Sequence, residues 1–377
     1  MAKKHTKHTS LTKPTGGEYH RNEWAIIGAP CDVIKDLSGA INKALSNLKV
    51  GFLDADHKKA RAKHGYHLSF TDKISYQQLT TKSEVQLKQN RKYYNDLDVL
   101  LVNGNHFAGD KQIVIINEEK KESLSRKLDR LTDIKMILLE KSSDDIHKYL
   151  LEIIKDKQDI QMFRLDQVDK IANAILKELV EEQPPLYGLV LAGGKSQRMG
   201  VDKGSLDYYG QPQREYEADL INSFCFRTFV SCRKNQDELI ESKFEKLYDT
   251  FEGLGPYGGI LSAFREHPNS AWLTLACDMP YVNKDTISQL VKNRNPLKLA
   301  TCFHNEETSF PEPLITIWEP RAYPIMLEFL SQGYSCPRKV LINTEIEELK
   351  LKDQQSIVNA NDKIEMEKAI EFIAAQS

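Results

Sequence analysis

The run Leu191–Leu206, LAGGKSQRMGVDKGSL, holds the residue types that wrap a nucleoside triphosphate. Gly193 and Gly194 carry no side chain, so backbone N–H groups there can come close to phosphate oxygens. Leu191 and Ala192 lead into that turn, and Ser196 adds a hydroxyl. Arg198 and Lys203 bring fixed positive charge to the place where a triphosphate needs it. A glycine turn with solvated cations is the other reading of the same letters.

Asp278 is the second chemical residue. It follows the apolar run WLTLAC and precedes Met279-Pro280. A carboxylate at the end of a buried strand is costly unless it is paired or binds a metal. Its hard oxygens suit Mg²⁺, which takes one or two carboxylates together with phosphates and waters. An aspartate capping the following turn is the alternative. No side chain in either stretch is needed as a covalent nucleophile.

These residues need a framework of strands whose ends meet. Tyr187–Ala192, Phe226–Cys232, Trp272–Ala276, Ala300–Phe303 and Leu314–Trp318 read as strands. Helices fall near Tyr216–Ser223, Gly259–Glu266, Lys284–Lys292 and Tyr323–Gln332. An earlier alternation has strands at Trp24–Gly28, Val50–Leu53, Val99–Val102, Gln112–Ile116 and Met136–Leu139. Its helices fall near Leu37–Leu48, Asp144–Ile154 and Asp166–Val180. Strands alternating with helices predict α/β architecture with a doubly wound parallel sheet in each half. The acidic Pro-Pro stretch Glu181–Pro185 marks the boundary, giving domains 23–183 and 184–377. Residues 1–22 are basic and polar and read as a disordered tail.

Composition narrows the classes. The 377 residues carry 52 Lys and Arg against 54 Asp and Glu, a net charge of −2. That leaves no global basic excess pointing to nucleic acid. No apolar run approaches membrane-spanning length, and the N-terminus lacks a signal-peptide core. Six scattered cysteines include no C-x-x-C pair, so neither a zinc site nor a redox pair is indicated. Free thiols in a reducing cytoplasm are the expectation.

The glycine–cation run resembles the signature of the molybdenum cofactor guanylyltransferase family. GPYGG at 255–259, ACDMPYV at 276–282, PEPLITIW at 311–318 and VNAND at 358–362 follow in the order that family uses. The resemblance covers Leu186 to the C-terminus. It implies a Rossmann-like nucleotidyltransferase fold and GMP transfer from GTP to molybdopterin with release of pyrophosphate. It also implies catalytic roles for Arg198, Lys203 and Asp278, and Mg²⁺ held by Asp278 and Asn359. Asp249 and Gly255 join the nucleotide-binding set, with Asp249 near the guanine edge. The chain departs from the family at Asp362-Lys363, where Thr-Pro is usual, which weakens the parallel for Asn361. Gly258 stands where alanine is more usual, and the missing methyl would widen the pocket if it faced it.

The first domain, Trp24 to about Glu140, resembles the companion P-loop GTPase-like protein of the same pathway. Strand, loop and helix are followed by a strand ending in Asp54, Asp56 and His57, then LLVNG. Its phosphate loop departs from the pattern. A Walker loop needs a glycine followed by Lys and Ser or Thr. Val33 and Ile34 stand in place of Gly-Lys, Asp36 adds negative charge, and Pro30 removes a donor. The expectation is a P-loop-like fold that has lost triphosphate binding and serves as a docking adaptor, for instance for a molybdoenzyme client. A shifted loop using Lys35 is the alternative. For the whole chain, CTP-dependent transfer and a non-catalytic cofactor-delivery role stand as rival functions.

Overall fold

The computed structural model describes residues 17–55, 67–81, 91–140, 145–155, 160–193, 202–238 and 240–375. Asp56, His57, Gly194, Ser196 and Arg198 lie outside them. The chain separates into two compact units, 1–182 and 183–377.

The strands of the first unit are β1 (Glu23–Ile27), β2 (Val50–Leu53), β3 (Leu68–Asp72), β4 (Gln77–Thr81), β5 (Val99–Asn103), β6 (Lys111–Ile116), β7 (Ile134–Leu139) and β8 (Gln161–Arg164). Six of them form one sheet in the order β2-β5-β1-β6-β7-β8, and every pairing is parallel. Trp24 and Ile26 face one apolar cluster, Ala25 and Ile27 the other face. Burial on both faces explains why these strands read as unbroken apolar runs. β3 and β4 pair as a separate antiparallel hairpin that periodicity did not reveal.

The helix Cys31–Ala44 buries Ile34, Leu37, Ser38 and Ile41, one stripe at helical spacing. It begins six residues earlier than the apolar pattern predicts: Pro30 is its N-cap, and Cys31 and Asp32 of its first turn are exposed. Residues 17–22 differ from the tail expected there. Tyr19 and His20 are buried. The Glu23 carboxylate accepts the backbone N–H groups of Glu18, Tyr19 and His20 at 2.8, 2.8 and 3.1 Å. One buried acid thus gathers the segment onto the amino end of β1, an interior strand.

The second unit carries β9 (Leu186–Leu191), β10 (Arg227–Cys232), β11 (Glu245–Tyr248), β12 (Ala271–Ala276), β13 (Ala300–Asn305), β14 (Phe310–Trp318) and β15 (Glu347–Leu349). Their order is β11-β10-β9-β12-β14-β13-β15. β9, β10, β11 and β12 run parallel, while β14 is antiparallel to both β12 and β13. The sheet is therefore mixed, where alternation alone predicts a parallel one. Side chains alternate between two cores: Leu186, Val190, Leu273 and Leu275 on one face, Tyr187, Leu189, Phe229 and Trp272 on the other.

Candidate active site

The four parallel strands of the second unit end along one edge of its sheet. That edge lines a cavity of about 540 Å³. β9 delivers Leu191, Ala192 and Gly193; β10 delivers Arg233; β11 delivers Asp249; β12 delivers Cys277 and Asp278. Open α/β sheets hold ligands at this carboxyl edge.

The floor is built by close approach. A Cβ on Gly193 would stand 2.7 Å from Asp249 Oδ2, and one on Gly259 would stand 2.8 Å from Leu191 Cδ2. Glycine at 193 lets the Asp249 carboxylate lie against the turn, and glycine at 259 leaves room for the Leu191 side chain. Ser231 Oγ donates to Asp249 Oδ1, and the Asp249 backbone N–H reaches Cys232 O at 2.8 Å. Burial pushes the Asp249 carboxyl up, opposed by the Ser231 hydrogen bond and Arg233. Gly255, at φ +59°, caps the helix Pro256–Glu266 beside the same cavity. The space beside Gly258 is already filled: a Cβ there would meet Phe251 O at 2.2 Å. Glycine at 258 therefore accommodates a turn and does not widen the pocket.

Lys203 and Asp278 meet in the cavity. Lys203 Nζ lies 3.5 Å from Asp278 Oδ2 and donates to Asn361 Oδ1 at 3.1 Å. The lysine is aimed by a short 3-10 turn, Lys203–Ser205. Asp202 caps that turn through Gly204 N at 3.1 Å and binds the Arg214 guanidinium at 2.8 Å. Burial pushes the Asp278 carboxyl up and the Lys203 ammonium pulls it back.

The C-terminal loop is tied to the backbone of the same aspartate. Ala360 N donates to Asp278 O at 2.7 Å, which brings the flanking Asn359 and Asn361 to this corner. Asp362 accepts from Ile364 N and Glu365 N, both at 2.9 Å, as the N-cap of the helix Lys363–Ala374. Aspartate and threonine both serve as N-caps, so the departure from Thr-Pro keeps the helix start. Among the described residues, two buried oxygens in this corner accept no hydrogen bond: Asp278 Oδ1 and Asn359 Oδ1. An uncompensated buried acceptor is costly, and two hard oxygens of this kind fit a divalent cation such as Mg²⁺.

Leu191, Ala192, Gly193, Lys203, Asp249, Gly255 and Asp278 all line one cavity; Asn359 is outside that lining and precedes Ala360, which bonds to Asp278 O. Three site residues escaped sequence reasoning. Arg233 reaches Gly193 O through Nε at 2.9 Å and lines the cavity. Arg214 is buried behind Asp202. Glu217, on the helix Gln213–Asn222, is wholly buried, accepts from Gln213 Nε2 at 2.9 Å and lies against Cys277. Burial, relieved in part by those contacts, pushes its carboxyl up to about 8.

A glycine turn, a lysine, a carboxylate and a cavity at the carboxyl edge of parallel strands define an α/β nucleotide-handling domain. Residues 188–348 match the family model described as a MobA-like NTP transferase domain. The second unit is therefore a nucleotidyltransferase domain of the MobA-like family. The chain is 37% identical over 180 residues to a molybdenum cofactor biosynthesis bifunctional protein from Synechocystis sp., covering 48% of this chain and 52% of that protein. It thus spans about half the length of that relative. A molybdenum cofactor guanylyltransferase from Pseudomonas putida is 27% identical over 173 residues, 44% of this chain and 87% of the other. Among solved structures, a molybdopterin-guanine dinucleotide biosynthesis protein A from Archaeoglobus fulgidus is similar at 21% identity. It covers 50% of this chain and 99% of its own, with a TM-score of 0.43.

Proposed function

We propose that the second unit transfers GMP from GTP to molybdopterin and releases pyrophosphate. The observation that carries the reading is the convergence of Lys203, Asp278 and Asn361 in the cavity floored by Gly193 and Asp249. The terminal phosphate of the acceptor attacks the α-phosphorus, a P–O bond forms, and the bond to the β-phosphate breaks. Little covalent work falls to the protein; position and charge carry the step. Backbone N–H groups of the glycine turn and Lys203 hold the triphosphate. Arg198 belongs to the same loop in sequence and supplies a second cation. Asp278, with Asn359 next in sequence to Ala360, would hold Mg²⁺, whose charge would offset that of the phosphates. Asp249 offers two acceptors at the cavity wall, which suits the N1–H and 2-amino donors of guanine better than a cytosine edge.

The test is equilibrium binding of GTP and CTP to the full chain in MgCl₂. The reading expects GTP to bind more tightly, and Asp249→Asn to erase the preference. Equal affinities in the wild type contradict the base assignment. Among the described residues no helix is long and apolar enough to cross a membrane. The cytoplasm, where both substrates are handled, is the proposed site of action. The first unit acts as an adaptor that keeps a cofactor donor or molybdoenzyme client near the transferase by tethering.

A further inference from the structure

The first unit carries a side-chain cluster that the transfer reaction does not use. Cys31, at the start of the helix Cys31–Ala44, is exposed. Its Sγ lies 3.3 Å from His106 Nε2. Asn105 Nδ2 lies 3.7 Å from the same sulfur and donates to Ala29 O at 2.8 Å. Lys127 Nζ donates to Asn105 O at 3.0 Å. Desolvation lowers the Lys127 pKa, and the Cys31 sulfur is among the groups acting on that ammonium. A nucleophile within hydrogen-bond reach of an imidazole, beside a cation and open to solvent, is the arrangement of a reactive thiol.

A purely structural role fits these contacts poorly. Cys31 belongs to none of the apolar clusters of the first unit. The buried thiols Cys232, Cys277 and Cys302 are the ones that pack. The loop is also too short to wrap a triphosphate: Gly28 turns at φ +98° and the helix begins three residues later.

We propose that Cys31 and His106 form a nucleophile–base pair that takes low-molecular-weight disulfides, those carrying negative charge first. His106 Nε2 accepts the thiol proton as Cys31 Sγ attacks one sulfur of the disulfide. A new S–S bond forms, the old one breaks, and the departing thiolate takes the proton from His106. The disulfide is the only oxidant required. Lys127 and the N–H groups of the helix start favour an anionic reagent.

Cys336 provides the internal control. It is exposed and likewise stands at a helix start, as the N-cap of Pro337–Ile342. The full chain is treated at pH 7 with limiting iodoacetamide and mapped by mass spectrometry. Cys31 is expected to react at least about tenfold faster than Cys336, and His106→Gln to bring the two rates together. Oxidised glutathione is expected to form a mixed disulfide at Cys31 faster than cystamine does, and Lys127→Gln to remove that order. Equal rates at Cys31 and Cys336, or an unchanged Cys31 rate in His106→Gln, overturn the pair. Equal rates for the two disulfides in the wild type overturn the charge preference. Should His106→Gln not fold, as lost hydrogen-exchange protection on peptides of β1 and β5 would reveal, the wild-type rate ratio and Lys127→Gln still decide the matter.

Discussion

Glu217→Gln should make the second unit more stable at pH 8 and nearly neutral in effect at pH 5. Glu217 is fully buried, with its carboxyl pushed from 4.5 to about 8. In the unfolded chain the same group ionises near its ordinary value. Between those limits the unfolded state binds fewer protons than the folded one, so stability falls as pH rises. About three and a half pH units separate the two states. At about 1.4 kcal/mol per unit, the loss reaches on the order of 5 kcal/mol above pH 8. Glutamine keeps the shape and still accepts the bond from Gln213, so it removes the titration and little else. Asp278, Asp249 and Glu312 are also raised by burial, and their contributions remain in both proteins. The difference between variant and wild type therefore isolates Glu217. The assay is a urea titration at pH 5 and pH 8, read by pulsed hydrogen exchange on peptides of β12, which reports this unit alone. The wild-type midpoint should fall toward pH 8 and that of the variant should fall less. Midpoints that move in parallel would refute the assignment of a neutral buried Glu217.

Lys203→Ala should lower pyrophosphate release by about 10²-fold or more, since one charge-assisted contact to the transition state is lost; near-wild-type turnover of a folded variant removes it from the site. Asp278→Asn should shift the MgCl₂ titration of activity to higher concentration, because one anionic ligand becomes neutral; an unchanged titration shows that Asp278 does not hold the metal. Gly193→Ala should weaken GTP binding by about tenfold or more by calorimetry, because its methyl would stand 2.7 Å from Asp249 Oδ2 and displace that carboxylate; an unchanged affinity contradicts the close approach. Calorimetry with GTP in MgCl₂ should find one site per chain, and Lys35→Ala should leave the stoichiometry at one; a second, micromolar site lost in that variant restores a working phosphate loop in the first unit.

The sequence disclosed more of the fold than of the site. Strands buried on both faces stand out as apolar runs, so β1, β5, β9 and β12 were legible almost to the residue. The same property hides direction: nothing in PEPLITIW distinguishes an antiparallel β14 from a parallel strand. The first turn of the helix Cys31–Ala44 is hard to read because Pro30 and the exposed Cys31 and Asp32 look like a continuing loop. Gly17–Asn22 reads as tail because its order comes from Glu23, a partner outside the segment. In the site, glycines and charges close in sequence were readable, while residues recruited across the sheet were not. Arg233 ends β10 as an ordinary surface cation would, and only the fold brings it to Gly193. Glu217 sits in a helix of mixed polarity, and its burial depends on Gln213 and on Cys277 some sixty residues away. Asp362 breaks the family pattern in its letters and keeps the helix cap in its bonds.

The proposed reaction at the carboxyl edge of the second sheet moves GMP from GTP onto molybdopterin. The most direct measurement incubates the full chain with MgCl₂, molybdopterin and GTP or CTP, then records pyrophosphate and the product mass. One pyrophosphate is expected for each GTP consumed, with a product heavier than molybdopterin by one GMP unit and CTP the poorer substrate. Absence of pyrophosphate with either nucleotide, or a cytidylyl product formed in preference, would contradict it.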